Sequence, residues 1–161
     1  MKSAILFLLF ATLFVLLSAA VPPGSVAALP KDKNSCSPTP PDALGPFYEP
    51  NAPIREKVGE GYVLKGTVRA AVTCVPIARA RIELWLAGPD GKYDNEHRAI
   101  IFSDKTGAYA FESNFPPSYY NRPPHIHIRV TADGYRPLVT QHYPESGQSQ
   151  GHFDLVLVPV Q

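Results

Sequence analysis

Two histidines one residue apart, His125 and His127, and several tyrosines upstream are the side chains best able to do chemistry. The histidines stand in the string Arg122-Pro-Pro-His-Ile-His-Ile128, which reads as the opening of a β-strand. Its prolines lack backbone donors and so suit the start of a strand, not its middle. Beyond them Ile126, Ile128 and Val130 fall on one face and His125, His127 and Arg129 on the other. Residues at i and i+2 of a strand stand roughly 7 Å apart at Cα, so two imidazoles can converge on one metal ion. The same string also describes two polar residues on the outer face of a half-buried strand. The pair alone leaves both readings open.

The remaining donors narrow the choice of metal. No carboxylate lies beside the pair, so a ferrous site of two histidines and one carboxylate is not signalled. What lies nearby is phenol: Tyr119 and Tyr120 just upstream, and Tyr93 after the turn Gly88-Pro-Asp-Gly91. A free phenol ionises near pH ~10, and a bound cation can lower that value. Two phenolates and two imidazoles suit ferric iron, because the anionic oxygens offset its charge and keep it ferric. Each tyrosine is also at home as a loop aromatic with a bonded hydroxyl, and zinc or copper can use histidines alone. His97, His142 and His152 are expected to be non-ligands. With no G-x-S-x-G, no Ser-His-Asp arrangement and no Gly-rich phosphate loop, metal ligation is the leading chemical option.

The elements that must hold these residues read as short strands. Alternation predicts strands over 62–68, 81–87, 98–102, 108–112, 125–131, 138–143 and 153–158. In 81–87, Ile82, Leu84 and Leu86 share one face, and Arg81, Glu83 and Trp85 share the other. Turns fall at 88–91, 104–107 and 133–134, and 144–151 reads as a polar loop. Residues 37–53, rich in proline, read as an extended segment wrapped over the domain surface. No helical periodicity interrupts the pattern. The fold class predicted is all-β, a sandwich of about seven to nine mostly antiparallel strands.

Composition agrees. Eighteen prolines against 11 glycines fit a chain of many turns. Fifteen basic and 14 acidic residues, interspersed for a net charge of +1, form no basic stripe, so nucleic acid is not an expected partner. Residues 1–20 have the layout of a secretory signal peptide: Lys2, an apolar run from Ile5 to Leu17, then Ser18-Ala19-Ala20. A flexible lead-in over 21–35 and one domain over 36–161 follow, giving a protein secreted, or periplasmic in a bacterium, with no membrane association after cleavage. In that oxidising setting the two cysteines, Cys36 and Cys74, are expected to pair.

At this point the chain resembles the intradiol ring-cleavage dioxygenases, the family of protocatechuate 3,4-dioxygenase and the catechol 1,2-dioxygenases. The matching pieces stand in order: Gly45-Pro-Phe-Tyr48, Gly66-Thr-Val-Arg69, Cys74-Val-Pro76, Ala80-Arg-Ile-Glu-Leu-Trp85, Asp90-Gly-Lys-Tyr93, Thr106-Gly-Ala-Tyr109, Pro117-Ser-Tyr119, Arg122-Pro-Pro-His-Ile-His127 and Thr140-Gln141. They cover roughly 39–143. The resemblance implies a β-sandwich holding non-haem Fe(III) through Tyr93, Tyr119, His125 and His127. Of the two tyrosines, Tyr93 matches the one that stays bound and Tyr119 the one released by substrate. Arg122 matches an arginine beside the metal and Gln141 a glutamine lining the same pocket.

The implied reaction is cleavage of catecholic aromatics by O2 to cis,cis-muconate-type products. Family members usually carry a longer insertion between the second tyrosine and the arginine. Here only Tyr120 and Asn121 intervene, which leaves Tyr120 a rival to Tyr119 as ligand. The helical dimerisation segment of the catechol enzymes is absent from the sequence, so a monomer or weak homo-oligomer is expected. The competing class is a secreted transthyretin-like sandwich that binds without catalysis.

Overall fold

The computed structural model describes residues 36–161. The expected signal peptide and lead-in lie outside the described residues. The strands are β1 (Tyr62–Ala70), β2 (Arg81–Leu86), β3 (Arg98–Phe102), β4 (Ala108–Ser113), β5 (Ile126–Thr131), β6 (Leu138–His142), β7 (Gln150–His152) and β8 (Leu155–Leu157). One short 3-10 turn, Asn95–His97, precedes β3. One sheet runs β3-β2-β5-β6, antiparallel throughout. The other has β4 antiparallel to β1 on one side, with β7 and then β8 parallel to β1 on the other. Among the described residues no helix is long and apolar enough to cross a membrane.

The core follows from period-2 alternation. Leu64 and Val68 from β1, Phe111 from β4, and Leu155 and Leu157 from β8 face Ile82, Leu84, Leu86, Ile126, Ile128 and Val130 across the sandwich. Each such side chain contributes roughly 1.5–3 kcal/mol on burial. The turns form where glycine permits them: Gly91 donates to the Gly88 carbonyl and Gly107 to that of Asp104, both glycines at positive φ. The two cysteines are joined, Cys36 to Cys74, closing 38 residues of sequence.

One expectation is corrected. Residues 144–151 are not all loop, because β7 begins at Gln150. Its pairing with β1 uses backbone groups alone, so three residues of mixed polarity carry no alternation to read. The second face of β2 is covered as well: Glu83 and Trp85 are only 3% and 2% exposed.

The cover is the proline-rich segment, residues 37–48. It is tied along β6 by Asp42 N–H to the Val139 carbonyl (2.9 Å) and by the Thr140 hydroxyl to the Pro40 carbonyl (2.9 Å). Over β2 it sets the Tyr48 ring 5.2 Å from that of Trp85. The Glu83 carboxylate beneath it is not left unpaired. It receives Arg81 at 2.6 Å and Arg129 at 2.5 Å, with the Tyr48 hydroxyl at 3.3 Å.

Candidate metal centre

Sheet register places the first part of the site. Trp85 on β2, His127 on β5 and Gln141 on β6 are direct cross-strand neighbours. The Trp85 indole lies flat on the His127 ring, 4.9 Å between centroids and 4° between planes. Two residues earlier in the chain, His125 sits just before β5 with its ring 4.8 Å from that of His127. Both histidines are buried, at 3% and 2% exposure, so the reading of them as polar residues on an open outer face does not hold.

Burial sets their protonation. The His125 Nδ1 bonds the Pro123 carbonyl at 2.8 Å. A carbonyl can only accept, so Nδ1 carries the hydrogen and Nε2 keeps its lone pair. Burial pushes the His125 imidazolium below its usual range. Burial, then the neighbouring His125 and Arg122, pushes His127 down to about 4. Its Nδ1 is buried without a hydrogen-bond partner, although the Ala43 carbonyl lies near enough to oppose the shift. Both rings are therefore neutral at pH 7 and able to offer lone pairs.

Tyr93 arrives from a distant loop. Its hydroxyl lies 3.0 Å from His125 Nε2 although 32 residues separate them. Phe47 stacks on its ring at 4.4 Å. Arg98, 2% exposed, clamps this arrangement: its guanidinium donates to the Phe47 carbonyl, to the Tyr93 carbonyl (3.2 Å) and to the Glu49 carboxylate (3.0 Å). Burial, reinforced by Tyr119 and opposed by Arg122, pushes the Tyr93 phenol up to about 12. It is protonated at pH 7 unless a cation beside it lowers that value.

Tyr119 and Arg122 are set by a two-residue turn. Each donates its N–H to the other's carbonyl, at 3.1 and 2.9 Å, leaving Tyr120 and Asn121 at the tip. Tyr120 takes φ 50° and is 87% exposed. The Tyr119 ring turns inward, 5.4 Å from Tyr93 and 5.5 Å from Phe47, both edge to face. The short connection thus brings Tyr119, and not Tyr120, to the other donors. Arg122 donates to the Gln141 side-chain carbonyl at 2.7 Å.

Gly45 lets the covering segment lie on His127. Its φ is +75°, and a Cβ there would meet the imidazole Cε1 at 2.8 Å. The three histidines expected to be non-ligands have other partners: His97 with Asp94 (2.8 Å), His142 with Tyr62 (2.7 Å) and His152 with Asp154 (3.0 Å). Among the described residues no group of three or more His, Cys, Asp or Glu is placed to hold a metal. A centre at this site therefore needs the phenols. Sequence reading gave no role to Arg98, Phe47 or Gly45. Gly45 and Phe47 stand in one of the pieces that carry the family resemblance, and Arg98 heads an otherwise apolar strand.

No protein-family profile matches the chain. A chlorocatechol 1,2-dioxygenase of Pseudomonas sp. (strain P51) is 30% identical over 141 residues, covering 66% of this chain and 56% of the relative. A catechol 1,2-dioxygenase of Candida albicans is 28% identical over 156 residues, covering 73% of this chain and 51% of the relative. The chain thus spans little more than half the length of these curated relatives. Among solved structures, the dioxygenase domain of a dioxygenase–carbohydrate-binding protein fusion from Streptomyces sp. SirexAA-E superposes with TM-score 0.68 at 25% identity, covering 77% of this chain and all of that one. In sequence and in fold, the sandwich domain of this chain is homologous to the intradiol ring-cleavage dioxygenases.

Proposed function

We propose that this chain is a ferric-iron-dependent enzyme that cleaves catecholic rings between their hydroxylated carbons with dioxygen, giving cis,cis-muconate-type products. The observation that carries the reading is the approach of the Tyr93 phenol to the lone pair of His125 Nε2, 3.0 Å apart, beside Tyr119 and His127. Two neutral imidazoles and two phenols match a hard trivalent cation. Tyr93, Tyr119, His125 and His127 would hold it. When bound, the ion supplies Lewis acidity and a template for the diol.

The chain's own residues supply the rest. Tyr93, stacked on Phe47 and clamped through its carbonyl by Arg98, is the fixed phenol. Tyr119 stands at the base of a two-residue surface turn and is the phenol free to move. Held as a phenolate while it binds the ion, its Oη would take one proton from the incoming diol on release. Arg122, held on Gln141, stabilises negative charge as it builds on the ring. Phe47 and the covering segment keep water from one side of the site. The Cys36–Cys74 bridge supports the accompanying proposal that the protein is secreted.

The test is to load the purified chain with ferric iron. Phenolate-to-iron charge transfer should colour it wine-red, and an oxygen electrode should record uptake with at least one diol from a panel of catechol, chlorocatechol, hydroxyquinol and protocatechuate. A colourless loaded protein that takes up no oxygen refutes the reading.

A further inference from the structure

Gln141 is not the only group on the Arg122 guanidinium. The same Nη2 donates to the Tyr143 hydroxyl at 2.9 Å. The Tyr143 hydroxyl lies 2.8 Å from Asp42 Oδ2 and 3.2 Å from Gln141 Oε1. A hydroxyl has one proton to give, and the nearer, charged oxygen takes it. The result is a polarised line: Asp42 carboxylate, Tyr143 hydroxyl, Arg122 guanidinium, Gln141 amide. Gln141 closes it by donating to the Ala43 carbonyl at 2.6 Å, next to Asp42 in the covering segment.

We infer that Asp42 and Tyr143 are positioning residues that latch the Arg122 guanidinium on Gln141 and so fix the positive charge that faces a bound diol. The inference rests on the proposed reading of the site. Arg122 follows a surface turn with only two residues between it and Tyr119, so the backbone around it is tethered at few points. A long side chain leaving such a turn has much rotamer freedom to lose, and one acceptor does not define its plane. Two acceptors do. The second, the Tyr143 hydroxyl, is turned to accept by Asp42, which takes its proton and which the covering segment brings to β6 through its own N–H on Val139. Tyr143 is 41% exposed and Asp42 is exposed, so neither is there to fill the core. Residues 37–48 thereby do two things: they roof the histidines, and through the latch they orient the cation beside them.

The test uses the full chain with Tyr143→Phe, Asp42→Asn and both together. Without metal, 15N-arginine NMR of the parent should show separate, slowly rotating Arg122 Nη signals, and each variant should collapse them. After iron loading, each single variant should lower kcat about tenfold, with bound iron and KM for catechol unchanged. The double variant should be no worse than either single, because the links act in series. Hindered rotation that persists in the variants, losses that add in the double variant, or an unchanged kcat overturns the latch. A parent chain that neither colours with iron nor turns over catechol refutes the site reading instead, while the metal-free NMR still decides the latch.

Discussion

Among the described residues, two tyrosine hydroxyls meet a histidine nitrogen, at almost equal distance and with opposite character. At one, the Tyr93 hydroxyl lies 3.0 Å from His125 Nε2; at the other, Tyr62 lies 2.7 Å from His142 Nε2. Around Tyr93 and His125 gather a second phenol, a second imidazole and a guanidinium. Tyr62 and His142 instead pack against Phe115 and Phe153, with Gly151 pressed so close that a Cβ there would collide with the phenol oxygen. Each pair joins one buried and one half-buried side chain, and both histidines are pushed down by desolvation. The lesson is that a phenol on an imidazole is not by itself a site. Convergence of further donors makes one candidate a metal centre, and its absence makes the other a packed hydrogen bond.

The comparison breaks most sharply under alanine. His127→Ala should abolish iron uptake and lower turnover by at least about a thousandfold, whereas His142→Ala should keep both and lose only stability, roughly 1–3 kcal/mol. Metal analysis alongside denaturant unfolding separates the two. An iron-replete, active His127→Ala protein would remove the reason for treating the pairs differently.

Lifting the cover from one pair should come next in size. Gly45→Ala puts a methyl 2.8 Å from His127 Cε1 at φ +75°. It should cost about 1–3 kcal/mol. Trp85, the one tryptophan of the chain and 2% exposed beneath the same segment, should shift its fluorescence to the red as the cover opens. Unfolding midpoint and emission maximum should move together.

The smallest effect lies in pH. The His142 imidazolium is lowered from 6.5 to about 4 in the folded protein, so between those values the unfolded chain binds more protons. Stability from this group is complete above pH 6.5 and is lost as the pH falls toward about 4. His142→Gln, which cannot titrate, should flatten the stability profile in that window. His125 and His127 push the metal-free profile the same way, and iron loading should steepen it if those two rings bind the ion, because bound rings take up no protons while the unfolded chain still does. An unchanged slope in His142→Gln would show that Tyr62 holds a ring titrating normally.

Much of the fold was legible in local pattern. Strand 98–102 coincides with β3, and the turns at Gly91, Gly107 and Gly134 fall where glycine takes positive φ. Strand β7 was not legible, because three residues paired through backbone have no side-chain period. That β2 is buried on both faces was not legible, because its cover comes from residues 37–48, and alternation reports a strand's period but not what lies across from it. The choice of Tyr119 over Tyr120 needed the reciprocal turn bonds that send one ring inward and the other out.

Donor types, their spacing on one strand and the strand grammar that builds a sandwich are local properties, since they depend on side-chain chemistry and a period of two. Which phenol meets which imidazole, the roof over both histidines and the approach of Arg122 to them came from the folded arrangement. Contacts across 32 residues, as between Tyr93 and His125, depend on sheet register and on where a loop is clamped, and no local pattern carries that information.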